Sequence, residues 1–202
     1  MSMVQAWVYD ISQGMARAMS SAIIGKQIDI IPHTGIVFEG KEYFYGGGVC
    51  VTDAGQAIAL APCQILNLGE TDKSKKELDD FLVDISPKYT AETYQLLSHN
   101  CNHFADEVAK FLLQGKGLPD SILNVASEAL STPQGAALRP ILEGFESSIR
   151  AQNNGSILNP FGGINGGQAS TSSKDADSED DNEDEEEEEE EEEHELDCSN
   201  EL

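Results

Sequence analysis

Basic residues are scarce in this chain. Twelve lysines and arginines face 37 aspartates and glutamates over 202 residues, a net charge of −25. That balance offers no basic stripe to a phosphate backbone, so nucleic acid is excluded as a direct partner. Long apolar runs are missing too. No stretch approaches the roughly 20 residues that a helix needs to cross a bilayer, so no membrane span is expected. Cysteine is sparse: Cys50, Cys63, Cys101 and Cys198 form no dense framework of the kind small secreted domains use. Free thiols in a reducing compartment follow, and with them a cytoplasmic location that extends to the nucleus. The opening residues M-S-M-V-Q-A-W-V-Y-D carry neither a basic segment nor a long apolar core, so no secretory leader is expected. Ser2 stands where ordinary myristoylation needs glycine.

The charge that is present is unevenly placed. Residues 1–150 hold 18 acidic and 11 basic residues, a net of −7. Residues 151–202 hold 19 acidic residues and one basic, Lys174, a net of −18. Two regions follow: a domain over 1–150 and a disordered tail over 151–202. About 150 residues suffice for a well-buried core. The tail opens with a linker rich in Asn, Gly and Ser over 153–173 and then turns almost wholly acidic, with nine consecutive glutamates from Glu185 to Glu193. Such a block repels itself and buries nothing.

Within the domain, Val4 to Tyr9 is β-rich and reads as a strand. Met15 to Ile24 reads as a short helix ended by Gly25. His33 to Phe38 (H-T-G-I-V-F) and Glu42 to Tyr45 flank the turn Glu39-Gly40-Lys41, which signals a hairpin. Gly46-Gly47-Gly48 follows as a loop, and Ile65 to Leu68 reads as another strand. Leu78, Phe81, Leu82 and Ile85 recur at helical spacing within Lys73 to Ser86, closed by Pro87. Tyr94 to Leu97 is short and apolar. It leads into a helix capped by Asn100, with Phe104, Val108, Phe111 and Leu112 on its buried face and Gly115 near its stop. Ser131-Thr132-Pro133 starts a last helix that runs towards Arg150 with a bend at Pro140. Strands first and helices later predict an α+β fold.

Cys101 falls on the first turn of the Asn100-capped helix. A helix N-terminus carries partial positive charge and unpaired N–H groups, and both favour the reactive thiolate. A thiol nucleophile also needs a base and an oxyanion donor. His33, His99 and His103 are the candidate bases in the domain; His194 lies in the tail. His103 is close in sequence but points about 200° away from Cys101 on a helix of 3.6-residue period. His99 precedes the cap, and its direction is open. His33 opens a core strand, a rigid mount for an imidazole. A zinc reading of His99-x-Cys101-x-His103 lacks the second ligand pair of a structural site, so no metal is expected. Cys50 and Cys63 read as buried small hydrophobes.

Taken together, H-T-G-I-V-F from His33, E-Y-F-Y-G-G-G from Glu42 and H-N-C-N-H-F from His99 resemble the PPPDE superfamily. More narrowly they resemble the desumoylating isopeptidases (DeSI proteins). V-Y-D-I-S-Q-G-M-A-R and S-E-A-L-S-T-P-Q-G-A-A-L-R-P-I-L are similar to the first DeSI subtype. The resemblance spans roughly residues 4 to 145 and leaves out the acidic tail. It implies a papain-like α+β fold in permuted order, with the base ahead of the nucleophile. It implies a dyad of Cys101 and His33, no cofactor, and a homodimer whose groove holds the active sites. His99 and Asn102 match the motif around the cysteine without belonging to the dyad. With Asn100, they stand as oxyanion or positioning candidates.

The implied activity is a cysteine isopeptidase that removes a ubiquitin-like modifier, SUMO by resemblance, from lysines. The same dyad would serve a thioesterase acting on S-acyl cysteines. A third reading is an adaptor whose acidic tail holds a basic protein partner, with strong salt dependence. Gly46 to Gly48 could wall a narrow slot for a diglycine end or form a plain turn.

Overall fold

In this computed structural model residues 1–144 are described. The chain divides into two units, Met1–Gly166 and Gly167–Leu202. The tail predicted over 151–202, its His194, and the end of the helix predicted to reach Arg150 lie outside the described residues.

Five strands form one antiparallel sheet. They are β1 (Ser2–Asp10), β2 (Pro32–Phe38), β3 (Lys41–Tyr45), β4 (Val49–Asp53) and β5 (Gln64–Thr71), in the spatial order β4-β3-β2-β1-β5. The register of β1 on β2 runs from Val4 opposite Phe38 to Tyr9 opposite His33. The β2–β3 hairpin closes through Glu39 and Gly40, both at positive φ (48° and 75°), the geometry whose twist matches the flanking strands.

Strand side chains alternate, so one face of the sheet gathers Val4, Ala6, Val8, Ile36, Phe38, Tyr43 and Tyr45, all buried. Two helices close over that face. From α2 (Lys75–Ile85) come Leu78, Leu82 and Ile85; from α3 (Cys101–Leu112) come Phe104, Val108 and Leu112. Each such side chain contributes about 1.5–3 kcal/mol on full burial. The predicted α2 face is therefore correct, with Phe81 half-buried at its margin, packed against the core and stacked on Phe111 at 4.0 Å. A Ser74–Glu77 capping box starts α2. At the end of α3 the Gly115 N–H reaches the Lys110 carbonyl (2.8 Å), with Gly115 at φ +101°. The first helix, α1 (Met15–Ile24), ends at Gly25 in the left-handed region, as predicted.

Four features differ from the sequence reading. Gly46–Gly48 form the plain turn that the sequence offered as one alternative, but the chain then returns as β4, a strand the sequence reading lacked. The segment after Gly115 folds into two short helices, α4 (Asp120–Leu123) and α5 (Val125–Ala129), too brief to leave a periodic signal. The last helix breaks before Pro140: α6 (Pro133–Ala136) stops, residues 137–138 turn, and a helix resumes at 139–144. Pro140 thus sits in a first turn, where its missing N–H costs nothing. Cys63 is exposed and Cys50 half-buried, not the buried pair expected. Cys63 lies just before the edge strand β5, which explains its access to solvent.

Candidate active site

Strand β2 pairs on both sides only over Ile36 to Phe38, where β3 joins it. Over 32–35 it pairs with β1 alone. Alternate residues of a strand send their backbone groups to the same edge, so the Pro32 carbonyl and the Thr34 N–H face the same way. The start of α3 occupies them. Asn102 Nδ2 donates to the Pro32 carbonyl (3.0 Å), and hydrogen bonding from the Thr34 backbone is among the influences that pull the Cys101 thiol down. Helix and strand are tied together at Pro32, the residue before His33.

The helix start is fixed from within as well. Asn100 Oδ1 accepts from the backbone N–H groups of Asn102 (2.9 Å) and His103 (3.3 Å), the N-cap role expected of it. Its amide Nδ2 donates to the Leu96 carbonyl (2.7 Å). The His103 ring closes the capping box, its Nδ1 accepting from the Asn100 backbone N–H (3.5 Å). His99 packs as an aromatic, stacked on Tyr89 at 4.5 Å and edge-on to Tyr45 at 5.9 Å. Thus Asn100 and Asn102 both spend an amide donor on backbone carbonyls, and His99 and His103 lie in the scaffold around the helix start.

His33 is 4% exposed and Cys101 6%. The His33 ring lies between Tyr9 (6.0 Å between centroids) and Phe44 (5.8 Å, edge-on). Its Nε2 is buried without a hydrogen-bond partner. Burial lowers the His33 pKa from 6.5 to about 4, because an imidazolium there would lose its water. Burial likewise pushes the Cys101 thiol up to about 11, against the donors from Thr34, Tyr94 and the helix start, which pull it down. The thiolate expected from helix position alone is thus absent from the resting protein. Desolvation outweighs the helix terminus, and both groups rest neutral near pH 7.

Two neighbours were missed by sequence reasoning. Tyr94, read only as part of an apolar segment, is buried with its ring on Tyr45 (5.1 Å between centroids), and hydrogen bonding from it is one of the influences that pull the Cys101 thiol down. Glu42, read as a strand residue, is a fully buried carboxylate. It accepts from the Tyr9 hydroxyl at both oxygens (2.8 and 3.0 Å) and from the Gly55 N–H (2.9 Å). A Cβ at Gly35 would come within 2.4 Å of its Oε1, so glycine at that β2 position makes room for it. The sequence signal for Glu42 was a charged residue inside an otherwise aromatic strand; Tyr94 gave none. Among the described residues no three His, Cys, Asp or Glu side chains are grouped to hold a metal, and no helix is long and apolar enough to cross a membrane.

A buried thiol on a capped helix start, clamped to the strand that carries a buried imidazole, is equipped for acyl transfer. Comparison with known proteins agrees. A family model described as "PPPDE putative peptidase domain" matches residues 2–143. Desumoylating isopeptidase 1 of Homo sapiens is 37% identical over 161 residues, which cover 79% of this chain and 94% of that protein. Desumoylating isopeptidase 1 of Xenopus laevis is 38% identical over 146 residues, 71% of this chain and 86% of that protein. A DeSI-like protein of Schizosaccharomyces pombe is 32% identical over 113 residues, covering 51% and 55%.

Proposed function

The chain belongs to the PPPDE peptidase family of cysteine-type hydrolases, and from that premise we propose that it removes a SUMO-like modifier from target lysines through Cys101 and His33. One observation supports the reading: Asn102, next to Cys101, is hydrogen-bonded to the Pro32 carbonyl, next to His33, so the proposed nucleophile and base sit on elements tied together at that point. The names of the relatives support the substrate class.

The resting pair is neutral, so the thiol proton must leave as the sulfur attacks. Cys101 Sγ bonds to the isopeptide carbonyl carbon, its proton passes to the His33 ring, and the carbonyl electron pair moves onto oxygen. The Cys101 backbone N–H at the helix start stabilises that oxyanion. Collapse expels the lysine amine, which takes the proton from His33, and leaves a thioester on Cys101. Water then attacks, giving its proton to His33; the modifier departs as a carboxylic acid and the thiol is restored. Asn100 and Asn102 act as positioning residues for the helix start, and His99 for its aromatic surroundings. The resemblance extends the reading to a homodimer.

A panel of electrophilic probes tests the substrate class. SUMO, ubiquitin and an acyl thioester mimic, each ending in a thiol-reactive group, are offered to the full chain, and labelling of Cys101 is read by mass spectrometry. The SUMO probe is expected to label fastest. Preference for the acyl probe would replace the isopeptidase with a thioesterase.

A further inference from the structure

Five apolar residues of α1 recur at the spacing by which a surface helix packs onto a core: Met15, Ala18, Met19, Ala22 and Ile23, at i, i+3, i+4, i+7 and i+8. Here that stripe faces solvent. All five residues are exposed, with Met15 at 51%, Met19 at 50% and Ile23 at 50%. The helix packs inward through Ser20 and Ile24 instead. No charge interrupts the stripe. Arg17 lies on another side of the helix and pairs with Asp29 (3.5 Å). An uninterrupted apolar patch of this kind marks a surface that something covers.

We propose that residues 157–164 of the same chain dock on this stripe. The stripe is too small to hold a second protein. Ten residues of helix are about 15 Å long and about 10 Å across, well short of the roughly 800 Å² per partner that a stable interface buries. A short segment tethered by its own backbone needs far less, because its effective concentration is about millimolar. The chain also leaves the described fold from beside α1. Thr132 Oγ1 donates to the Ile24 carbonyl (2.5 Å) and Lys26 pairs with Glu128 (3.2 Å), so this region packs against the C-terminal end of α1. From there α6 and the helix at 139–144 carry the chain to Gly144. Ile157 follows 13 residues later, a reach of up to about 45 Å, three times the length of α1. Beyond Arg150 the sequence has six large apolar residues, and four of them are Ile157, Leu158, Phe161 and Ile164. Residues 151–173 carry no charge, whereas those that follow are almost wholly acidic. Of the chain beyond Arg150, this segment alone matches an uncharged apolar stripe. While it is docked, the stripe is closed to other partners.

Methionine oxidation in the full chain reads the cover. Met3 on β1 lies outside the stripe and is 45% exposed, close to Met15 and Met19, so it is the internal reference. With dilute hydrogen peroxide and peptide mapping, Met15 and Met19 are expected to form sulfoxide about three- to tenfold more slowly than Met3. That is the share left open when a millimolar effective concentration meets a contact of a few tenths of a millimolar. Ile157→Asp combined with Phe161→Asp is expected to raise both to the Met3 rate and leave Met3 unchanged. Phe161→Leu, which stays apolar, is expected to keep them slow. Equal rates at the three methionines of the wild type, or slow rates that persist in the doubly substituted chain, overturn the proposal. Protection that vanishes on dilution overturns it too, because it assigns the stripe to a second copy.

Discussion

Two buried polar clusters flank the first half of β2, and they are built on opposite rules. In the cluster of Glu42, Tyr9 and Gly55, both carboxylate oxygens find donors within 3.0 Å. Among the residues of the candidate site, buried atoms go wanting: His33 Nε2, Thr34 Oγ1 and His99 Nδ1 have no partner. Tyr43 and Thr52 supply the other unpartnered side-chain atoms among the described residues. An unsatisfied buried polar atom costs about 1–3 kcal/mol, so a fold keeps one where something else requires it. The satisfied cluster ties β1, β3 and the turn after β4 together. The unsatisfied one keeps an imidazole and a thiol out of water, the setting in which the proposed proton transfer would run.

That division can be attacked first at the thiol and imidazole. Cys101→Ala and His33→Ala are each expected to abolish hydrolysis, a loss of about 10³-fold or more, while the melting temperature stays level or rises. Steady-state rates beside thermal melts check this. Full activity in either variant would remove the dyad.

Acid is the next lever. His33 titrates near 4 in the folded chain and near 6.5 when unfolded, so between those values only the unfolded chain holds the proton. Its contribution to stability is complete above about pH 6.5 and drains away as pH falls towards 4, about 3 kcal/mol in all. Urea midpoints across that window should slope steeply in the wild type and more shallowly in His33→Asn. Equal slopes would mean that the imidazole is not desolvated as its burial indicates.

Glu42→Ala strikes the satisfied cluster and orphans the Tyr9 hydroxyl and the Gly55 N–H. A loss of roughly 2–3 kcal/mol is expected, read as a lower urea midpoint, with kcat on the surviving folded protein within a few-fold of wild type. A collapse of kcat at constant stability would erase the distinction between the clusters. The smallest effect is expected from truncation after Arg150, which should leave the rate on a small modifier substrate unchanged. A large fall would bring the acidic tail into substrate recognition.

Much of the scaffold was legible because its signals are local. The i, i+3, i+4, i+7 pattern found α2, the run of β-branched and aromatic residues found β2, and Asn100 with Gly115 bracketed α3. Strand β4 was not legible: Val49–Asp53 is a half-exposed strand at the edge of the sheet, with little apolar patterning to betray it. The helix break at 137–138 escaped for a related reason. Proline is compatible with a first turn, so Pro140 marks a start as readily as a bend.

By itself the sequence determined that Cys101 would open a capped helix and that His33 would open a core strand, since caps and periodicities are written within a few residues. It also set the charge of the last fifty residues apart from the rest. Only the tertiary structure decided the state of that thiol. Burial is a long-range property, and it overrode the local pull of the helix terminus. The structure alone also brought the β2 backbone to the start of α3, because such convergence depends on strand pairing that leaves no periodic mark in the chain.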